Sequence, residues 1–110
     1  MANTFISRTK ASVGNSPTTV YTVPASTTSV VIGFNIANRT ASTVTADVFI
    51  NKSNVSYDDV YIVKDLEIPT GTLYDFNAGN KIILEDGDLI QVTASTSSAV
   101  DVIVSILEQT

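Results

Sequence analysis

Apolar and polar side chains alternate with a period of two along much of this chain, the repeat of strands that bury one face. The run 100–107 is the most regular: Val100, Val102, Val104 and Ile106 alternate with Asp101, Ile103, Ser105 and Leu107. Val44, Ala46, Val48 and Ile50 do the same against Thr45, Asp47, Phe49 and Asn51. Residues 29–38 predict a strand with Val30, Ile32, Phe34 and Ile36 on the core face and Val31, Gly33, Asn35 and Ala37 opposite. The short turn at 38–42 between these last two runs predicts that they pair as a hairpin.

Shorter strands are expected at 18–23, 57–66, 73–76, 81–84 and 89–94, with turn chemistry between them. In 57–66, Val60 and Ile62 share one face while Tyr57, Tyr61 and Val63 share the other, so both faces carry bulk. Asp86-Gly87 is a hairpin signal joining 81–84 to 89–94, and 81–94 is expected beside 99–107. Pro24 ends the alternation Thr18 to Val23, because a proline cannot donate to a ladder; it reads as the corner where the chain leaves one sheet for the next. Gly33, inside a strand, marks a bulge or a close approach of another backbone.

No segment carries a helical period. The pattern therefore predicts an all-β chain: a single antiparallel β-sandwich or jelly-roll-like domain of about seven to nine short strands. Residues 1–17 read as an N-terminal arm or edge strand and 18–110 as the sandwich. A length of 110 residues leaves room for one core. Composition agrees, with 44% hydrophobic and 15% charged residues.

Charge and residue inventory remove several functions. The net charge is -5 and the six basic residues are scattered singly, so no stripe faces nucleic-acid phosphates. No apolar run approaches the ~18–20 residues that cross a bilayer, and MANTFISRTK lacks a signal-peptide core, which predicts synthesis in a cytoplasm and no membrane partner. With no cysteine, stability rests on the core or on neighbouring subunits. With neither histidine nor cysteine, most hydrolase triads and zinc sites have no candidates.

The remaining chemistry is sparse. Asp58 and Asp59, adjacent in a strand, would point to opposite faces and could not converge on one bond. Glu85, Asp86 and Asp88 surround a glycine turn, yet their spacing is not that of a calcium loop, and a solvated hairpin turn is the simpler reading. Asn38-Arg39-Thr40, Asn51-Lys52-Ser53 and Asn54-Val55-Ser56 match the N-glycosylation pattern by chance in a chain rich in these residues. Tyr21, Tyr57, Tyr61 and Tyr74 are the only candidates for a sugar-stacking platform. No catalytic, cofactor or metal residue is assigned. Excess apolar positions instead mark a candidate subunit interface at Phe5, Ile6, Gly33, Tyr57, Tyr61 and Val63, with the N-terminal arm expected against a neighbouring chain.

VYTVPASTTSVVIGFNIAN, KDLEIP and LEDGD, set within matching stretches over nearly the whole chain, carry a family resemblance. The chain resembles small virion structural proteins of tailed bacteriophages, particularly phages of aquatic bacteria. The resemblance implies a compact β-sandwich without enzymatic activity, acting as a homo-oligomer on the particle beside major capsid, neck or tail proteins. Head decoration, or cement, is the first expectation; neck, tail or baseplate roles and a carbohydrate-binding host-recognition module are the alternatives. It carries no catalytic or ligand motif and implies no cofactor.

Overall fold

The computed structural model describes residues 3–75 and 81–110. These form nine strands: β1 (Asn3–Val13), β2 (Thr18–Thr22), β3 (Thr28–Asn38), β4 (Val44–Asn51), β5 (Val60–Ile68), β6 (Leu73–Asp75), β7 (Ile82–Leu84), β8 (Leu89–Ala94) and β9 (Val100–Gln109). They build two antiparallel sheets. The five-stranded sheet runs β1-β9-β3-β6, with β7 also on β3; the four-stranded sheet runs β2-β8-β4-β5.

β6 pairs with Asn35 to Ala37 and β7 with Ser29 to Val31, so the two lie end to end as one interrupted edge strand. Counted that way, the first strand pairs with the last (β1 with β9), the second with the next to last (β2 with β8), the third with β6/β7, and β4 with β5. This nesting, with the ribbon folded over into two facing sheets, is a jelly roll.

The nesting corrects three expected pairings. β3 and β4 lie in different sheets, so the turn between them is a crossover and not a hairpin. β7 and β8 are likewise split by Asp86-Gly87, and β8 and β9 are not neighbours. Local turn signals fail here because the turns are also bonded to segments distant in sequence, and their flanking strands pair elsewhere. Gly87 N–H donates to the Val23 carbonyl at 3.1 Å, and Val23 N–H donates to the Asp88 carbonyl at 2.9 Å. Pro24 does sit at the corner between the sheets, since β2 belongs to the four-stranded sheet and β3 to the five-stranded one.

Two bulges shift the expected faces. In β3 the register against β9 slips between Val31 and Gly33, so Ser29 and Val31 point inward before it, and Phe34, Ile36 and Asn38 after it. Val30 and Ile32, expected in the core, are half-buried and exposed respectively. In β5 the pairs Val48 to Val63 and Phe49 to Tyr61 leave Ile62 as an extra residue. Val63 consequently packs on the core side, away from the face of Tyr61. β5 begins at Val60, leaving Tyr57 in the preceding loop. The expected strand end at Phe76 lies outside the described residues.

Inward positions of both sheets fill the core, with Phe34, Ile36, Ile68, Leu84, Ile90 and Ile106 among its largest fully buried side chains. Each such residue stabilises the fold by about 1.5–3 kcal/mol relative to exposure.

Candidate assembly surface

The loops at the two ends of the sandwich are fastened by buried polar side chains. At one end Asp88 is wholly buried and accepts hydrogen bonds from Lys52 Nζ at 2.6 Å, Glu85 N–H at 2.8 Å and Ser53 N–H at 3.0 Å. Burial alone would raise the Asp88 carboxyl, but Lys52 and the two backbone donors outweigh it and hold the pKa below its usual value. Lys52 is raised, first by its hydrogen bond to Asp88. Asp86 accepts from Ser26 N–H at 2.9 Å, tying in the Pro24 corner. The acidic group is thus a fastening point among two crossovers, β2–β3 and β7–β8, and the β4–β5 loop, not the solvated hairpin turn expected. Among the described residues no cluster of acids could hold a metal ion.

At the other end Asn38 is buried. Its Nδ2 donates to the carbonyls of Ser42 and Ile68, both at 2.8 Å, and its Oδ1 accepts from Thr40 N–H and Thr40 Oγ1. The Asn38-Arg39-Thr40 match to a glycosylation pattern is therefore a turn whose amide is committed, within the turn and to Ile68. Arg39 donates to Asp101 at 3.1 Å and to Ser12 Oγ, drawing β1 and β9 to the same loop.

With both ends occupied, the open surfaces are the outer faces of the sheets. On the five-stranded sheet, Phe5 opposes Leu107, Leu107 opposes Val30, and Val30 opposes Ile83. Their strand neighbours Ile106, Val31 and Leu84 are buried, so all four point outward and form a continuous apolar row across β1, β9, β3 and β7. Phe5 is 74% and Ile83 64% exposed. The next outward row is Ser7, Ser105 and Gly33, a shallow waist. Beyond it a groove of about 400 Å³ is lined by Ala11, Asn35, Ala37, Leu73, Asp101 and Ile103 among others, with Leu73 61% exposed. An antiparallel sheet with a solvated face normally alternates apolar and polar positions; this face does not.

The outer face of the four-stranded sheet is more polar. Thr45, Asp47 and Phe49 point outward on β4, and Phe49 meets Tyr61 with ring centroids 4.9 Å apart. β5 has a second bulge, between the pairs Ala46 to Leu66 and Val48 to Val63, and Asp47 bridges it, accepting from Asp65 N–H at 2.7 Å and Lys64 Nζ at 3.2 Å. Phe49, Tyr61, Pro17, Gln91 and Thr93 line a recess of about 150 Å³.

The six interface residues named from sequence are not brought together. Phe5 and Gly33 lie on the outer face of the five-stranded sheet, Ile6 and Val63 pack toward the core, Tyr61 is on the opposite sheet, and Tyr57 is in the loop before β5. Nor do the tyrosines form a platform: Tyr21 is buried, its hydroxyl bonded to Ser29 Oγ at 2.6 Å and Glu108 Oε2 at 2.5 Å. Tyr74 is on the five-stranded sheet, across the sandwich from Tyr61. Asp59, an expected loop marker, accepts from Lys52 N–H at 2.7 Å. The row and groove went unnamed, although one signal was present. Ile103 and Leu107 make the outward face of β9 apolar as well as the inward one, the mark of a strand covered on both sides.

By topology and by surface, this is a single jelly-roll domain with one apolar sheet face left open. No family model and no curated protein matches the chain. Solved structures share its fold. A subunit of Bacillus endospore appendages, described as disulfide-linked pili, superposes with a TM-score of 0.53 at 12% identity, covering 99% of this chain and 87% of that one. A chain of infectious bursal disease virus, Gx strain, gives a TM-score of 0.51 at 12% identity, covering 97% of this chain and 31% of its own length. At these identities the likeness is one of fold.

Proposed function

We propose that this protein is a non-enzymatic structural subunit of a tailed-bacteriophage virion, made in the host cytoplasm and acting as a head decoration protein that steadies the particle through subunit contacts. The observation that carries this reading is the apolar outer face of the five-stranded sheet on a domain whose buried Asp88 is committed to loop fastening. An apolar patch of this extent on a small domain marks an interaction site. The neighbours of the fold include a pilus subunit and a virus chain, which agrees with an assembly role; a pilus-like disulfide linkage has no counterpart here, because the chain has no cysteine. Fold alone does not separate such subunits from other jelly rolls, so position on a particle is the test. Density for this domain repeated over the head in an electron-microscopy map of the intact virion is the expected result. Density at the neck, tail or baseplate would replace decoration with those roles, and absence from the particle would overturn the virion reading.

A carbohydrate-binding role is favoured by one observation: the Phe49 and Tyr61 rings beside Gln91 and Thr93 supply an apolar face and polar groups in one recess. Glycan-array binding that Tyr61→Ala removes would support it.

A further inference from the structure

We propose that the outer face of the five-stranded sheet pairs with the same face of a second copy of this chain, about a two-fold axis at the level of Ser105. The proposal deepens the assembly reading by naming the partner and the face, and it is tested in solution without any particle.

The face is built as a ridge and a groove on either side of a low waist. Leu107 lies two residues from Ser105 toward the ridge, and Ile103 two residues from it toward the groove, each roughly 7 Å away along β9. A two-fold axis in the plane between two such faces, perpendicular to the strands and crossing at Ser105, sets the ridge of each copy over the groove of the other. Leu107 of one copy then meets Ile103 of the other, and the contact is made twice, as an isologous interface requires.

The waist permits the approach. Ser7, Ser105 and Gly33 add little height, so two sheets can close to the ~10 Å spacing of packed faces. Nothing inside the chain demands a glycine at 33: its φ is not positive, and an added Cβ would sit 3.6 Å from Ser105 Cβ, in ordinary contact. Its bare backbone is accounted for by what covers it from outside.

Charge and area select the occupant. The ridge has no charged side chain, and the groove lining carries one of each sign, Lys10 and Asp101, so the face presents no one-signed field to complement a charged partner. Interface centres are depleted of charge in this way. With Phe5, Leu73 and Ile83 all more than half exposed, the face presents on the order of 600 Å² of apolar surface, the upper end for a monomer. Two copies together would cover on the order of 1,200 Å², the lower bound of a specific interface.

Sedimentation equilibrium on the full chain tests this. At about 100 μM the expected mass is twice that of the monomer, and Leu107→Lys and Ile103→Glu each weaken pairing by about tenfold or more. Mixing the two variants restores the dimer, because lysine on one copy then faces glutamate on the other. Ser105→Arg, which sets two like charges on the axis, also yields monomers, and circular dichroism with a cooperative melt shows that each variant is folded. A monomeric parent, variants as dimeric as the parent, or a mixture that stays monomeric would overturn the pairing. So would a parent that stays monomeric alone and uses this face only on another protein. None of these results bears on where the protein sits on a particle.

Discussion

Lys52 Nζ and the Asp88 carboxylate stand 2.6 Å apart, the aspartate wholly buried and the lysine side chain largely so, where the β4–β5 loop meets two crossovers. Removing one partner of such a pair leaves a charge without water or counter-ion, at a cost of about 3–5 kcal/mol. Glu85, exposed and 3.2 Å from the same ammonium, cannot replace Asp88 as the buried member. Lys52→Met should therefore destabilise the fold by about 3 kcal/mol, read from the midpoint of urea unfolding at neutral pH.

The same pair sets the acid limit of stability. Asp88 is depressed in the folded chain, so its contribution is full above the ordinary value of 3.8 and is lost as pH falls through the folded value below it. Lys52 is raised, so its share is full below 10.5 and is lost only above that. Stability from this pair should be flat across the neutral range and fall below about pH 4. In Lys52→Met the largest force lowering Asp88 is gone, and the acid limb of melting temperature against pH should be shallower.

Tyr21 governs part of the alkaline limb. Burial first, and then its hydrogen bond to Glu108, push its hydroxyl up to about 12. A raised pKa means that the contribution is complete below the ordinary 10.0 and disappears as pH rises toward 12. Tyr21→Phe strips the buried Ser29 hydroxyl of this partner and should cost about 1–2 kcal/mol at neutral pH. It should also flatten the loss of stability between pH 10 and 12, read from urea midpoints across that range.

Legibility in the sequence followed locality. The runs 44–51 and 100–107 could be read because their own alternation is unbroken over those residues. Val30 and Val63 were assigned to the wrong faces because each strand carries an extra residue, and a one-residue slip moves every later side chain to the other face. Strand partners were not readable from turns: Asp86-Gly87 looks like a hairpin, yet its donors and acceptors belong to the Pro24 corner and the loop after β4. Asn38 read as turn chemistry, while its burial depends on Ile68, thirty residues away. The open apolar face was half legible, through Ile103 and Leu107, but its four-strand row exists only once the nested pairing is known.

Gly33 offers a substitution that should strengthen the chain. A glycine within a strand costs roughly 0.5–1 kcal/mol relative to alanine, because more backbone freedom is lost on folding. The added Cβ meets only Ser105 at ordinary distance. At a concentration low enough to keep the chain monomeric, Gly33→Ala should raise the urea midpoint by an amount equivalent to about 0.5 kcal/mol, whereas a fall there would mean that the bulge requires glycine.

Deletion of residues 1–12 separates an appended arm from a structural strand. Asn3 to Lys10 pairs without a register shift against Gln109 to Val102, and Ile6 packs onto the core opposite Ile106. Loss of this strand would leave β9 as a new edge, with Val102, Val104 and Ile106 less covered. At about 1 kcal/mol net for each ladder hydrogen bond, the deletion should cost at least about 3 kcal/mol. Because β1 and β9 close the two ends of the chain on each other, this pairing carries the largest loop-closure entropy in the fold and should form late. The truncated chain is expected to show a broadened, less cooperative melt and faster amide exchange along β9. An unchanged urea midpoint would instead make 1–12 an arm whose work is done on a neighbour.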